Sequence, residues 1–107
     1  MSQTEFMEFP KLSRKEISIL EMLINHGEMY GLEMVEASVG ELKRGTIYVT
    51  LQRMSDKGFV TSREEARPHP EIGIARRKYS ISGLGQRVYR ANAKAKEYFN
   101  LELGWEV

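Results

Sequence analysis

Residues 45–82 constrain the fold most tightly: a basic segment with apolar residues at helical spacing, then a glycine, then two short β-rich runs. Ile47, Leu51 and Met54, four and three apart, define the buried face of a helix that begins at residues 43–46 and continues to Lys57. Thr46, Thr50, Arg53 and Lys57 fall on a neighbouring stripe, roughly a quarter-turn away at about 100° per residue. Gly58 stops this helix, and residues 59–63, Phe-Val-Thr-Ser-Arg, read as a strand from their β-branched and aromatic content. Pro68, Pro70 and Gly73 then shape a turn, and residues 76–81 return as a second strand. Arg76, Arg77 and Lys78 are consecutive, so strand alternation points Arg77 away from its two neighbours.

Two helices precede this unit. Ser13 and Glu16 stand in the capping-box relation, and Ile17, Leu20, Leu23 and Ile24 recur behind them at helical spacing as a buried stripe that ends near His26-Gly27. A shorter helix is expected from residue 30 or 31 to residue 39, with Met34, Val35 and Tyr30 facing inward and Gly40 ending it. Ser82 is placed to cap a last helix in which Leu84, Val88, Ala91, Ala95 and Tyr98 recur four and three apart, as far as Gly104. Small residues in the middle of that seam admit another helix closely. Docking on its own domain accounts for part of the seam; the length of the helix favours self-association through Leu84, Val88, Ala91, Ala95, Tyr98 and Phe99.

The fold class that follows is mainly α with a small β-hairpin: a winged helix-turn-helix, with a three-helix core and a two-stranded wing, followed by a C-terminal dimerisation helix. Its expected divisions are an arm at 1–12, the winged unit at 13–81 and the dimerisation helix and tail at 82–107.

Charge adds a functional direction. The formal net charge is only +1, but residues 43–96 carry 13 Lys/Arg against 4 acids, while residues 1–42 carry 3 against 8. Such segregation is the footprint of a phosphate-facing surface. A helix anchored on one side and cationic, hydroxyl-bearing on the other suits a DNA major groove, where Thr46, Thr50, Arg53 and Lys57 reach phosphates or base edges. Lys43, Arg44, Arg76, Arg77 and Lys78 complete the basic set. Tyr48, on the opposite flank, either touches a phosphate or packs. The expected partner is double-stranded DNA, and the alternative is a winged helix used as a protein-protein interaction module without DNA.

Catalysis finds no support. There is no cysteine, hence no thiolate zinc site and no cysteine nucleophile; His26 sits at a helix end and His69 lies between two prolines, neither with a second ligand at metal spacing. No cofactor is expected. The first ten residues match neither a signal nor a transit peptide and no apolar run approaches transmembrane length, so no membrane partner is expected and a cytoplasmic setting fits.

Taken in order, Ile19-Leu20 with Leu23, Tyr30-Gly31 with Glu33, Gly45-Thr46-Ile47-Tyr48 with Leu51 and Arg53, Lys57-Gly58-Phe59-Val60, Arg76-Arg77-Lys78-Tyr79, Ser82 and Gly85 resemble the PadR family of bacterial transcriptional regulators, over about residues 15–88. The resemblance implies a dimer held largely by the C-terminal helix, bound to a pseudo-palindromic operator and usually acting as a repressor. It assigns Thr46, Tyr48 and Arg53 to the recognition helix and Arg76, Arg77, Lys78 and Tyr79 to the wing. It is similar to the shorter subgroup of the family, some of whose members bind flat aromatic effectors between subunits; Tyr89, Tyr98, Phe99 and Trp105 serve such stacking or plain dimer packing equally well. The chain departs from the family pattern at Val49, where Pro is common, at Ser80, where a second Tyr is usual, and in a longer, Pro-rich wing tip.

Overall fold

Ser13 and Glu16 open the first helix as a reciprocal cap: Ser13 Oγ accepts from the Glu16 N–H at 3.1 Å and Glu16 Oε1 accepts from the Ser13 N–H at 2.9 Å. In the computed structural model, which describes residues 11–65 and 76–104, this helix is α1 (Arg14–His26), and it ends at Gly27, whose φ is 78°. It is followed by β1 (Met29–Tyr30), α2 (Gly31–Ala37), α3 (Ile47–Asp56), β2 (Val60–Glu65), β3 (Arg76–Ile81) and α4 (Gly83–Leu103). The wing tip with Pro68, His69, Pro70 and Gly73, most of the expected N-terminal arm, and Trp105 lie outside the described residues.

The buried face of α1 is Glu16, Ile19, Leu20 and Leu23, not the expected stripe of Ile17, Leu20, Leu23 and Ile24. Ile17 is half-buried and Ile24 is 45% exposed. Glu16 heads the true stripe, and a stripe drawn through apolar residues alone passes it over and rotates by one position. Helix α2 stops at Ala37, short of residue 39, because Ser38 Oγ donates to the Val35 carbonyl and accepts from the Leu42 N–H, closing a turn that brings Leu42 into the core.

The β-hairpin pairs β2 with β3 from Val60↔Ile81 to Glu65↔Arg76. A third strand, absent from the sequence expectation, lies on the other side of β3: Met29 pairs with Tyr79 and Tyr30 with Lys78, so the sheet order is β1-β3-β2, all antiparallel. Two residues are too few to show a period of two. One core joins the elements: Ile19, Leu20 and Leu23 of α1, Met34 of α2, Ile47, Leu51 and Met54 of α3, Phe59, Val60 and Tyr79 around the sheet, and Val88 of α4. Each large apolar side chain removed from water contributes about 1.5–3 kcal/mol before entropy opposes it.

Helix α4 is fastened at its start. Ser82 Oγ accepts from the Gly85 N–H at 2.9 Å and donates to the Gly58 carbonyl at 2.6 Å. Gly85 meets the Phe59 backbone so closely that a methyl group there would lie 2.1 Å from the Phe59 carbonyl oxygen. Val88 is buried in the core, Leu84 and Tyr89 pack against it, and the Tyr89 hydroxyl donates to Glu21 Oε2 at 2.8 Å. Leu84 and Val88, expected at a dimer seam, are therefore taken up by the chain's own domain. Past Tyr89, Ala91, Ala95, Tyr98 and Phe99 are exposed, while Lys96 borders a groove with Arg14, Ile17 and Glu21 of α1. Among the described residues no helix is long and apolar enough to cross a membrane.

Candidate nucleic-acid interface

Helix α3 has two unlike sides. Ile47, Leu51 and Met54 are wholly enclosed and fix the helix against α1, α2 and the sheet. The opposite side presents Tyr48, Val49, Gln52 and Arg53 to solvent, with Thr46 at the N-cap and Lys43 and Arg44 in the turn leading into it. Thr50 is half-buried and its hydroxyl donates to the Thr46 carbonyl at 3.2 Å, leaving its lone pairs outward as acceptors. Thr46, Thr50, Arg53 and Lys57 border one groove, as their shared stripe predicts.

Lys57 carries a second duty. Its ammonium lies 2.9 Å from Glu16 Oε2 and 5.8 Å from the centre of the Phe59 ring. Burial pushes the Glu16 carboxyl up, but the Ser13 N–H and the Lys57 ammonium outweigh it and hold the group below its ordinary value. The charge of Lys57 is thus partly neutralised inside the protein.

Tyr48 resolves toward packing. Its ring packs against Gly31, where a methyl group would fall 2.7 Å from Tyr48 Cε1, so the absence of a side chain at Gly31 makes room for the ring at the start of α2. Half of the tyrosine, 49%, stays accessible beside the exposed face of α3.

The wing sorts its cations by face. Arg76 and Lys78 straddle the Tyr30 ring at 4.0 and 5.1 Å from its centre, and the Tyr30 hydroxyl donates to Glu65. That hydrogen bond raises the Tyr30 pKa. Tyr30, expected to face inward from α2, instead belongs to this sheet face. On the same face Arg63 makes a bidentate pair with Glu28, both bonds at 2.9 Å, and Ser80 Oγ donates to Glu28 at 3.3 Å. Arg77 points the other way, as alternation requires, with Nη1 donating to Ser62 Oγ at 3.0 Å. It reaches a groove of about 640 Å³ between α3 and the wing, lined also by Leu32, Tyr48 and Glu64, whose rim Tyr30 and Arg76 join from the other face. Tyr79 forms the floor of that groove and is only 7% exposed; burial raises its pKa. It is a core residue, which corrects its expected place among DNA-facing side chains: its neighbours Arg77 and Lys78 reach outward, while its own register opposite Met29 turns it into the hydrophobic centre.

Sequence reasoning missed Gln52 and Val49 on the exposed side of α3. Both positions oppose the 47/51/54 stripe at 100° per residue, and Gln52 Nε2 donates to Asp56 Oδ1 at 3.0 Å. Projecting the helix would have found them; a search for cations did not.

Comparison with known proteins supplies the family context. A family model described as the transcriptional regulator PadR-like family matches residues 19–91. No curated protein matches the sequence. Among solved structures, a PadR family transcription regulator from Clostridium difficile superposes with a TM-score of 0.68 at 22% identity, covering 86% of this chain and 96% of that one. A PadR family transcriptional regulator from Eggerthella lenta gives 0.66 at 21% identity, with 82% and 76% covered. Bacillus subtilis PadR in complex with operator DNA gives 0.60 at 19% identity, with 80% and 59% covered. At these identities the superpositions establish a shared fold.

Proposed function

The chain belongs to the PadR-like family of transcriptional regulators, and from that premise we propose that it binds double-stranded DNA sequence-specifically, as a dimer on a pseudo-palindromic operator, with α3 of each subunit in the major groove. The observation that carries this is the division of α3: three enclosed apolar anchors hold it rigidly while Tyr48, Val49, Gln52 and Arg53 stand outside. Gln52 and Arg53 are side chains suited to bidentate reading of adenine and guanine edges. Lys43, Arg44, Thr46, Thr50 and Lys57 surround them as phosphate contacts, and the wing adds Arg77 from one face and Arg76 and Lys78 from the other. The exposed face of α3 pairs Gln52 and Arg53 with Tyr48 and Val49, and Lys43, Arg44 and Lys57 stand at its two ends, a basic surround that favours DNA over a protein partner.

The two subunits join through the exposed face of the outer part of α4, where Ala91 and Ala95 allow close approach and Tyr98 and Phe99 supply apolar area. Recognition helices then enter successive major grooves about 34 Å apart. Bound in the cytoplasm to its operator, the dimer acts as a repressor; the exposed aromatic rings of α4 favour a flat aromatic effector as the releasing signal. Selection of bound duplexes from a random pool tests the reading directly. Recovery of two inverted half-sites one helical turn apart supports it, and a pool that never departs from random refutes sequence-specific binding.

A further inference from the structure

A second groove, of about 730 Å³, runs between the start of α1 and the flank of α3, where Lys11 and Lys15 come together with Thr46, Thr50, Arg53 and Lys57. We infer that this groove seats the phosphodiester backbone flanking the segment read by α3, with Lys11 and Lys15 as phosphate contacts; the inference rests on the DNA-binding reading above.

Four cations line the groove against one carboxylate, that of Glu16, and it is already bonded to Lys57 and to the Ser13 N–H. Among the described residues Lys11, Lys15 and Arg53 make no ion pair, and all three are exposed. Lys11, Arg14 and Lys15 crowd the positive end of the α1 dipole, an arrangement that opposes helix stability. Glu41 offsets Arg14 at 3.8 Å, and among the described residues nothing comparable meets the two lysines. Local rules broken without an internal remedy mark places where an outside partner supplies one. Here the partner must be anionic. It must also lie against Thr46, whose hydroxyl can donate to a phosphate oxygen, and against the same helix whose adjoining face is proposed to enter the major groove. A nucleic-acid strand leaving that groove satisfies all three conditions.

The test compares wild-type protein with the double variant Lys11→Ala/Lys15→Ala and with a control, Lys94→Ala/Lys96→Ala, which removes the same charge from α4. Affinity is measured against salt on a selected duplex and on a random one. Each lysine meeting a phosphate contributes roughly 0.9 to the slope of log K against log salt. With two lysines in each of two subunits, the groove variant is therefore expected to lose about 3.6 from that slope, and about a hundredfold in affinity at ~0.15 M salt, equally on both duplexes, while the control keeps the wild-type slope. An unchanged slope in the groove variant overturns the inference and leaves DNA binding by α3 intact. An equal loss in the control also overturns it, by assigning the effect to net charge. If wild-type protein ignores both duplexes, the DNA-binding reading falls and the groove assignment with it. All four lysines are exposed, and removing Lys11 and Lys15 relieves repulsion at the positive end of α1, so the groove variant is expected to melt at or slightly above the wild-type midpoint and the control at it.

Discussion

The carboxylate of Glu16 and the ammonium of Lys57, 41 residues apart, meet at 2.9 Å and tie the first turn of α1 to the C-terminal end of α3. Glu16 has a folded-state pKa below its ordinary 4.5. The stability it contributes is present above that ordinary value and is lost as pH falls through the lower folded one. Urea titrations from neutral pH down through 4.5 should show Glu16→Gln with a flatter acid limb than wild type; parallel limbs would refute this.

Removing the other partner leaves the enclosed carboxylate without its cation. Lys57→Ala should lower unfolding stability by roughly 1–2 kcal/mol, read from the urea midpoint, because an unpaired buried acceptor costs more than the bond itself contributes. A neutral result would make Lys57 a surface charge available entirely to a ligand.

Leu51 sits at the centre of the anchoring face of α3 with no exposed surface. Leu51→Ala should cost about 2–5 kcal/mol in equilibrium unfolding, from lost burial plus the cavity left behind. Gln52→Ala, one residue on and solvent-facing, should stay within about 0.5 kcal/mol of wild type.

At Gly85 alanine would ordinarily favour a helix by up to about 1 kcal/mol. The 2.1 Å approach to the Phe59 carbonyl reverses that sign. Gly85→Ala should therefore unfold at lower temperature than wild type, and a higher midpoint would mean that α4 shifts freely on the sheet.

Arg53→Ala should weaken selected-duplex binding by about 1–3 kcal/mol and random-duplex binding by less, measured by titration at fixed salt. Equal losses on the two duplexes would make Arg53 a phosphate contact.

The long periodic elements were legible before the structure. Residues 76–81 and the span from Ser82 to Gly104 coincide with β3 and α4 and its caps, because a strand bounded by turn residues and a helix with a serine cap and a terminal glycine announce both ends. The stripe of Ile47, Leu51 and Met54 was equally plain, since nothing polar interrupts it. What escaped was tertiary in origin. Met29–Tyr30 is a strand only because β3 runs beside it, and no two-residue pattern contains that information. Glu16 is buried beside Lys57, which arrives from 41 residues away, so a carboxylate assigned only to the helix cap hid the real orientation of α1. Tyr79 and Val88 sat in words that suggested recognition and pairing, yet both close the core. The residues on the outer side of α3 were visible in principle; reading for cations and hydroxyls missed Gln52.

The backbone-to-backbone seat of Gly85 on Phe59 has a metrical consequence. From that seat α4 runs as one continuous helix of 21 residues, about 31 Å at 1.5 Å per residue, whose outer half carries the exposed apolar side chains. It works like one arm of a caliper whose hinge has been welded. Inserting a single alanine beyond Tyr89 would swing the far end by about 100° and translate it by about 1.5 Å, re-aiming whatever is mounted there without disturbing the jaw.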